Sequence, residues 1–336
     1  MKTITICGGG GLGHVIASWL SARNHAKVNI LTSRPEKWTH LISVETPEEV
    51  LQGSIAQISC MPEEVIPESD LVLLCLPGFL IRNELEKIKP HLNKKVFVGS
   101  VFSSTGFFFE AQTVLDERQP LWGFQRVPFI SRVEEYGKSA RLLGFKSSYS
   151  IAVENVDDNG KKSFAALIQE WFERPVVLLK NFYEASLTNS NPLLHTSRLY
   201  TMFGGENDGR VYPRMINFYE EWTEEAADLY IKMDAEFFEL LKALPVTEGY
   251  LPTVLDYYES HDAKSLVDKF HSIPAFKGIS SPMKKVEGGW VADYDSRYFT
   301  EDFPYGLKYI WQLAHDNKIS CPNINKVYEW GISKIK

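Results

Sequence analysis

At 336 residues, with 44% apolar and 24% charged side chains, the chain has the make-up of an ordinary soluble protein of about two domains. That composition excludes a disordered or fibrous chain. A net charge of −7 without a dense Lys/Arg block argues against nucleic acid or an anionic membrane surface as main partner, since either needs a concentrated positive footprint.

The longest apolar stretch, residues 71–81, is broken by Pro77 and Gly78 and is too short to span a bilayer. The first residues form no secretory h-region, and Cys7, Cys60, Cys75 and Cys321 are scattered without a C-x-x-C pair. A reducing cytoplasm is therefore the expected location. No His/Cys/Asp cluster has ligand spacing, so no metal is expected.

In chain order, residues 3–7 read as a strand, 13–23 as a helix and 27–32 as a second strand. Residues 70–76 are almost wholly apolar, as in a parallel strand covered on both faces. A helix at 79–89 and a strand at 95–99 continue the alternation, which is the rhythm of a doubly wound sheet. Between 121 and 153 the pattern is strand-rich, with a hairpin expected around 144–147. A helix at 161–172 and a strand at 176–179 follow. From about residue 181 helical periodicity dominates and strand signals nearly vanish. Across 222–244, Ala226, Leu229, Met233, Phe237 and Leu240 recur three or four apart. The expected division is a domain at 1–180 and a mostly helical one at 181–336.

The sharpest local signal is Gly8-x-Gly10-x-x-Gly13, within the run Gly8-Gly9-Gly10-Gly11, placed directly after a predicted strand and before a predicted helix. Glycines here permit a tight turn, a close backbone approach to a pyrophosphate, and close helix–strand packing. The helix N-terminus adds unpaired N–H groups and a positive dipole end. A tight turn alone would also use glycines, but the β-α-β setting favours a Rossmann-type NAD(P)-binding domain. An acidic residue about 20 positions further on normally bonds the adenosine ribose. Here Ser33 and Arg34 stand in its place, with Lys37 a second cation nearby. A hydroxyl and a guanidinium suit a 2′-phosphate, so NADP(H) is preferred over NAD(H), although Arg34 also reads as a plain loop residue. Pro77 and the 103–106 turn, each following a strand, are further candidate cofactor contacts.

Dehydrogenase chemistry needs a proton donor or acceptor beside the reacting carbon and a grip on carboxylate. Among eight histidines, His14 follows the glycines and could touch phosphate or merely pack. His195 opens a helix in Asn191-Pro192-Leu193-Leu194-His195 and shares a face with Leu199 and Met202. Asn191 is the expected cap, with Pro192 in the first turn. Asp302 and, five residues earlier, Arg297 precede a helix expected at 304–313. A core histidine, a helix-capping aspartate and a surface arginine would explain these residues equally well. The functional alternative pairs Asp302 with the His195 ring and fixes its tautomer.

Taken together, the glycine motif, the boundary near 180, the N-P-x-x-H segment at 191–195 and R-Y-x-T-E-D-x-P-Y-G at 297–306 resemble the NAD/NADP octopine/nopaline dehydrogenase family, the opine dehydrogenases. The likeness runs over essentially the whole chain. It implies NAD(P)H-dependent condensation of an amino acid with a 2-oxo acid. It also implies that His195 is the catalytic acid/base, Asp302 its partner, and Arg297 the residue that holds substrate carboxylate. Rival functions are a 2-oxo or 2-hydroxy acid dehydrogenase needing no amine, and a non-catalytic NADP-binding sensor. Aromatics at 250–258 suit either domain packing or a homodimer interface.

Overall fold

The computed structural model describes residues 1–335, which divide after Ser186 into two units. The first unit begins β1 (Lys2–Cys7), α1 (Gly11–Ala22), β2 (Ala26–Leu31), β3 (Leu41–Glu45), β4 (Val50–Ser54), β5 (Gln57–Ser59), α2 (Pro62–Val65), β6 (Leu71–Leu74) and α3 (Gly78–Ile88). It continues with β7 (Phe97–Ser100), α4 (Phe107–Val114), β8 (Leu121–Phe124), β9 (Phe129–Glu135), β10 (Ser139–Phe145), β11 (Tyr149–Glu154), α5 (Asp158–Phe172), β12 (Val176–Leu178) and α6 (Phe182–Ser186).

Eight strands form one sheet in the order β12-β11-β8-β7-β6-β1-β2-β5, parallel throughout except where β8 meets β11. The apolar run in β6 explains itself here. Leu71 and Leu73 enter the core on one face, whereas Val72 and Leu74 enter the core on the other beside Ile81, Leu85 and Ile88 of α3. Complete burial of such a side chain stabilises the fold by about 2 kcal/mol. The chain winds from β1 outward to β2 and β5, then returns to β6 on β1's other side. Strand order thus reverses at β1/β6, and ligands of such sheets bind beyond the carboxyl ends at that point.

A second sheet, β4-β3-β10-β9, packs its buried side chains Ile42, Val44, Leu51, Ala140 and Leu142 around α1. The hairpin expected at 144–147 is displaced. Its turn lies at Glu135–Lys138, where Lys138 N–H bonds Glu135 O and Gly137 takes φ +78°. Gly144 instead sits at a bulge in β10, and the residues after it carry the chain into β11 of the main sheet. Only Gly137 adopts the left-handed conformation that such a turn demands.

The second unit contains α7 (Asn191–Phe203), α8 (Glu224–Ala243), α9 (Val254–Tyr257), α10 (Ala263–Ser272), a hairpin of β13 (Met283–Val286) and β14 (Gly289–Ala292), then α11 (Arg297–Thr300), α12 (Lys308–Asp316) and α13 (Pro322–Lys334). All five periodic residues of α8 are buried. Its Asp234 accepts hydrogen bonds from Asn189 and the Val254 N–H, and Glu236 accepts from the first turn of α13. Tyr258 packs edge-on against Phe270, while Tyr257 is exposed. The helix expected at 304–313 is wound differently at its start. Residues Phe303–Leu307 form a π turn closed by Leu307 N–H to Asp302 O, and α-helix begins only at Lys308. Among the described residues no helix is long and apolar enough to cross a membrane.

Candidate active site

The glycine loop joins β1 to α1 beneath the switch point. Gly8 adopts φ +112°, and a Cβ on it would stand 2.7 Å from the Cys75 carbonyl oxygen. A Cβ on Gly13 would stand 2.6 Å from Gly8 O, so this glycine seats the helix on the strand. Gly10, by contrast, faces open space and precedes a helix start with no side-chain cap. Close packing at the first and third glycines and openness at the second are what a pyrophosphate cradle requires. A cavity of about 540 Å³ extends from Gly8, Gly9 and Gly10 past Thr32, Ser33 and Arg34 to Leu76, Pro77 and Glu84. A dinucleotide fits these residues.

Of the expected cofactor contacts, Gly8, Gly10, Ser33, Arg34 and Pro77 line this cavity. Gly11 and Gly13 do not: Gly11 lies against Ser131 of β9, and Gly13 packs on Gly8. Lys37 also lies outside it. Ser103 and Ser104 are buried, with hydroxyls that find no protein partner. His14 is wholly buried. Its Nδ1 lies 3.0 Å from Gly10 O, and its Nε2 accepts the Gly137 N–H at 2.7 Å. Those bonds require a neutral ring protonated on Nδ1, and burial holds its pKa below the usual histidine value. His14 therefore packs. It ties the glycine loop to the hairpin tip.

In the second unit, α7 carries the candidate histidine. Its first helical residue is Asn191, so Ser190, and not Asn191, occupies the cap position, and Pro192 lies in the first turn. Leu199 and Met202 are buried along the His195 face. Pro192 packs against the π turn at Gly306, where a Cβ would come within 3.0 Å of its ring, so the two C-terminal motifs are in direct contact. Through that contact Asp302 reaches His195: its Oδ2 lies 2.8 Å from Nδ1. Asp302 stands at the cap position before the π turn but makes no side-chain cap bond. Its carboxylate serves the imidazole instead.

On the ring's other side, Nε2 lies 3.0 Å from the Tyr219 hydroxyl. A carboxylate accepts only, so Nδ1 carries the proton toward Asp302, and the Tyr219 O–H donates to Nε2. Burial, reinforced by Tyr298, Tyr258 and Asp302, pushes the Tyr219 phenol well above the ordinary tyrosine range and keeps it a donor. Tyr298 packs 4.7 Å from the imidazole and Phe218 stands edge-on at 5.5 Å. Only 12% of the His195 side chain and 18% of that of Asp302 are exposed, a setting in which hydrogen bonds to charge strengthen.

Tyr219 went unread in the sequence because tertiary contacts alone bring it to the site. Phe218 N–H bonds Ile279 O, and the Arg198 guanidinium bonds Glu221 O, fastening the 214–222 segment to distant parts of the unit. Burial lowers Arg198 to about 10, which still leaves it charged at neutral pH. Arg297 opens α11 with 79% of its side chain exposed, 3.8 Å from Glu301. No hydrogen bond or ion pair joins its side chain to His195 or Asp302.

Residues 178–334 match the family model for the alpha-helical domain of NAD/NADP octopine/nopaline dehydrogenase. The octopine dehydrogenase of Pecten maximus is 22% identical, aligned over 99% of this chain and 90% of its own length. The tauropine dehydrogenase of Arabella iricolor is 27% identical over 98% and 90%. A structure of octopine dehydrogenase with NADH and L-arginine superposes with a TM-score of 0.86 at 22% identity, covering 99% of this chain and 89% of that one. With the nucleotide crevice and the fold they share, these likenesses define an NAD(P)-dependent dehydrogenase. Its helical half matches the octopine/nopaline dehydrogenase family, and over nearly its whole length the chain is similar to the opine dehydrogenases.

Proposed function

We propose that the protein condenses the amine of an amino acid with a 2-oxo acid and reduces the resulting imine, with NADP(H) preferred over NAD(H). The observation that carries this reading is the Asp302–His195 pair, with its second nitrogen against a hydroxyl in an aromatic-lined setting. Asp302 holds Nδ1–H and so leaves Nε2 as the atom that exchanges protons. His195 takes a proton from the incoming ammonium and returns one to the carbinolamine oxygen, which departs as water. Asp302 stabilises the cationic ring between the two transfers. Tyr219 donates to Nε2 and orients the neutral ring before substrate enters; the single Nε2 lone pair then passes from that hydroxyl to the incoming ammonium. Arg297, exposed and weakly paired, is the guanidinium assigned to the carboxylate of the oxo acid. Gly8, Gly10, Ser33, Arg34 and Pro77 would hold the dinucleotide, which when bound would supply the hydride to the imine carbon. Ser33 and Arg34 at the end of β2, where the ribose-binding carboxylate is missing, support the preference for a 2′-phosphate. Four free cysteines fit a reducing cytoplasm.

A screen of NADPH oxidation over pairs of amino acids and 2-oxo acids, with mass spectrometry of products, tests the reading. Oxidation that requires the amine and yields a secondary-amine dicarboxylate is expected. Equal oxidation without amine, yielding a 2-hydroxy acid, would replace it by simple ketone reduction. Arg297→Ala should raise KM for the oxo acid by tenfold or more while dinucleotide affinity stays constant; unchanged saturation removes Arg297 from that role.

A further inference from the structure

The hairpin between β9 and β10 brings one residue to the cofactor crevice that the glycine motif does not foretell. Tyr136, at its tip, lines the same cavity as Gly9, Ser33 and Arg34. Its hydroxyl lies 3.1 Å from Thr32 Oγ1 at the end of β2, and a Cβ on Gly9 would collide with that hydroxyl. The Arg34 guanidinium lies over the ring face, 4.4 Å from its centre. The tip itself is fixed: Gly137 donates to buried His14, its carbonyl accepts from Thr39 N–H, and both His14 and Trp38 pack on Tyr136.

We propose that Tyr136 is a cofactor-specificity residue that holds Arg34 in place for the 2′-phosphate of NADP(H) and adds its own hydroxyl as a neighbouring donor. An arginine on a surface loop loses rotamer freedom when it grips an anion; stacking on an anchored ring removes part of that loss before the ligand arrives. The guanidinium edge stays available for bidentate bonding while its face rests on the phenol. The hydroxyl sits between Thr32 and Gly9, the end of β2 and the glycine loop, where an adenosine ribose passes into a pyrophosphate. This inference rests on the NADP(H) preference argued above.

Its test is binding, not turnover: affinities of 2′,5′-ADP and 5′-AMP for the purified protein, for Arg34→Ala, and for Tyr136→Phe and Tyr136→Leu. The wild type should bind 2′,5′-ADP at least tenfold tighter than 5′-AMP, and Arg34→Ala should abolish that ratio. Tyr136→Leu should cut the ratio at least fivefold and Tyr136→Phe, which keeps the platform and the hairpin packing, two- to threefold, with 5′-AMP affinity nearly constant in the latter. If the wild type shows no ratio, the cofactor preference and the proposal fall together. If Arg34→Ala abolishes the ratio but both Tyr136 variants keep it, the preference stands and the role of Tyr136 is overturned.

Discussion

Asp302 shows how one side chain chooses between two roles that its sequence position allows. It lies where a helix cap is expected, yet its carboxylate bonds His195 Nδ1, and the turn after it is π-wound around Pro304. The choice has a kinetic consequence. Asp302→Asn replaces an acceptor by a group that can donate, which favours the wrong imidazole tautomer. It should lower kcat by about 100-fold or more in steady-state assays. Tyr219→Phe keeps the ring packing and removes one hydrogen bond, so a loss of about tenfold or less is expected. Equal losses in the two variants would contradict the division of labour between them. The motif residues His195 and Asp302 were legible because each occupies a distinctive string. Tyr219 and Tyr136 were not, since a lone tyrosine gains its role only from the contacts that fold around it.

Elements were readable where one period dominated. The wholly apolar β6 and the three-four spacing of α8 announced themselves, and burial follows the pattern residue by residue. β3 and β4 did not, because short strands with Ser43, Gln52 and Gly53 lack an apolar run. The displaced hairpin has a related cause: two glycines compete for the turn, and only the one that must take a positive φ wins it. That hairpin is tied to α1 by neutral His14, whose folded pKa lies below its usual value. The unfolded chain therefore binds a proton more readily, and His14 lowers stability progressively as pH falls below about 6.5 toward its folded value. In urea titrations at pH 7 and pH 5, the wild type should lose more stability on acidification than His14→Gln does. A parallel decline in both would show that His14 is not protonated on unfolding in that range.

On the scale of the whole molecule, the sequence divides labour along its length. The first unit supplies a candidate nucleotide crevice at the point where strand order reverses, and the second supplies an imidazole fixed by a carboxylate. Each was legible in outline from a motif plus its setting. The atoms that complete each one were not, since they come from a hairpin tip and an irregular segment. The account stands on His195 as the proton carrier. Its most direct measurement is turnover of His195→Ala with dinucleotide affinity determined on the same preparation. General acid–base catalysis by one group contributes about 10²- to 10⁴-fold. A fall in kcat of that size with unchanged NADPH affinity is the predicted result; near-normal turnover would contradict it.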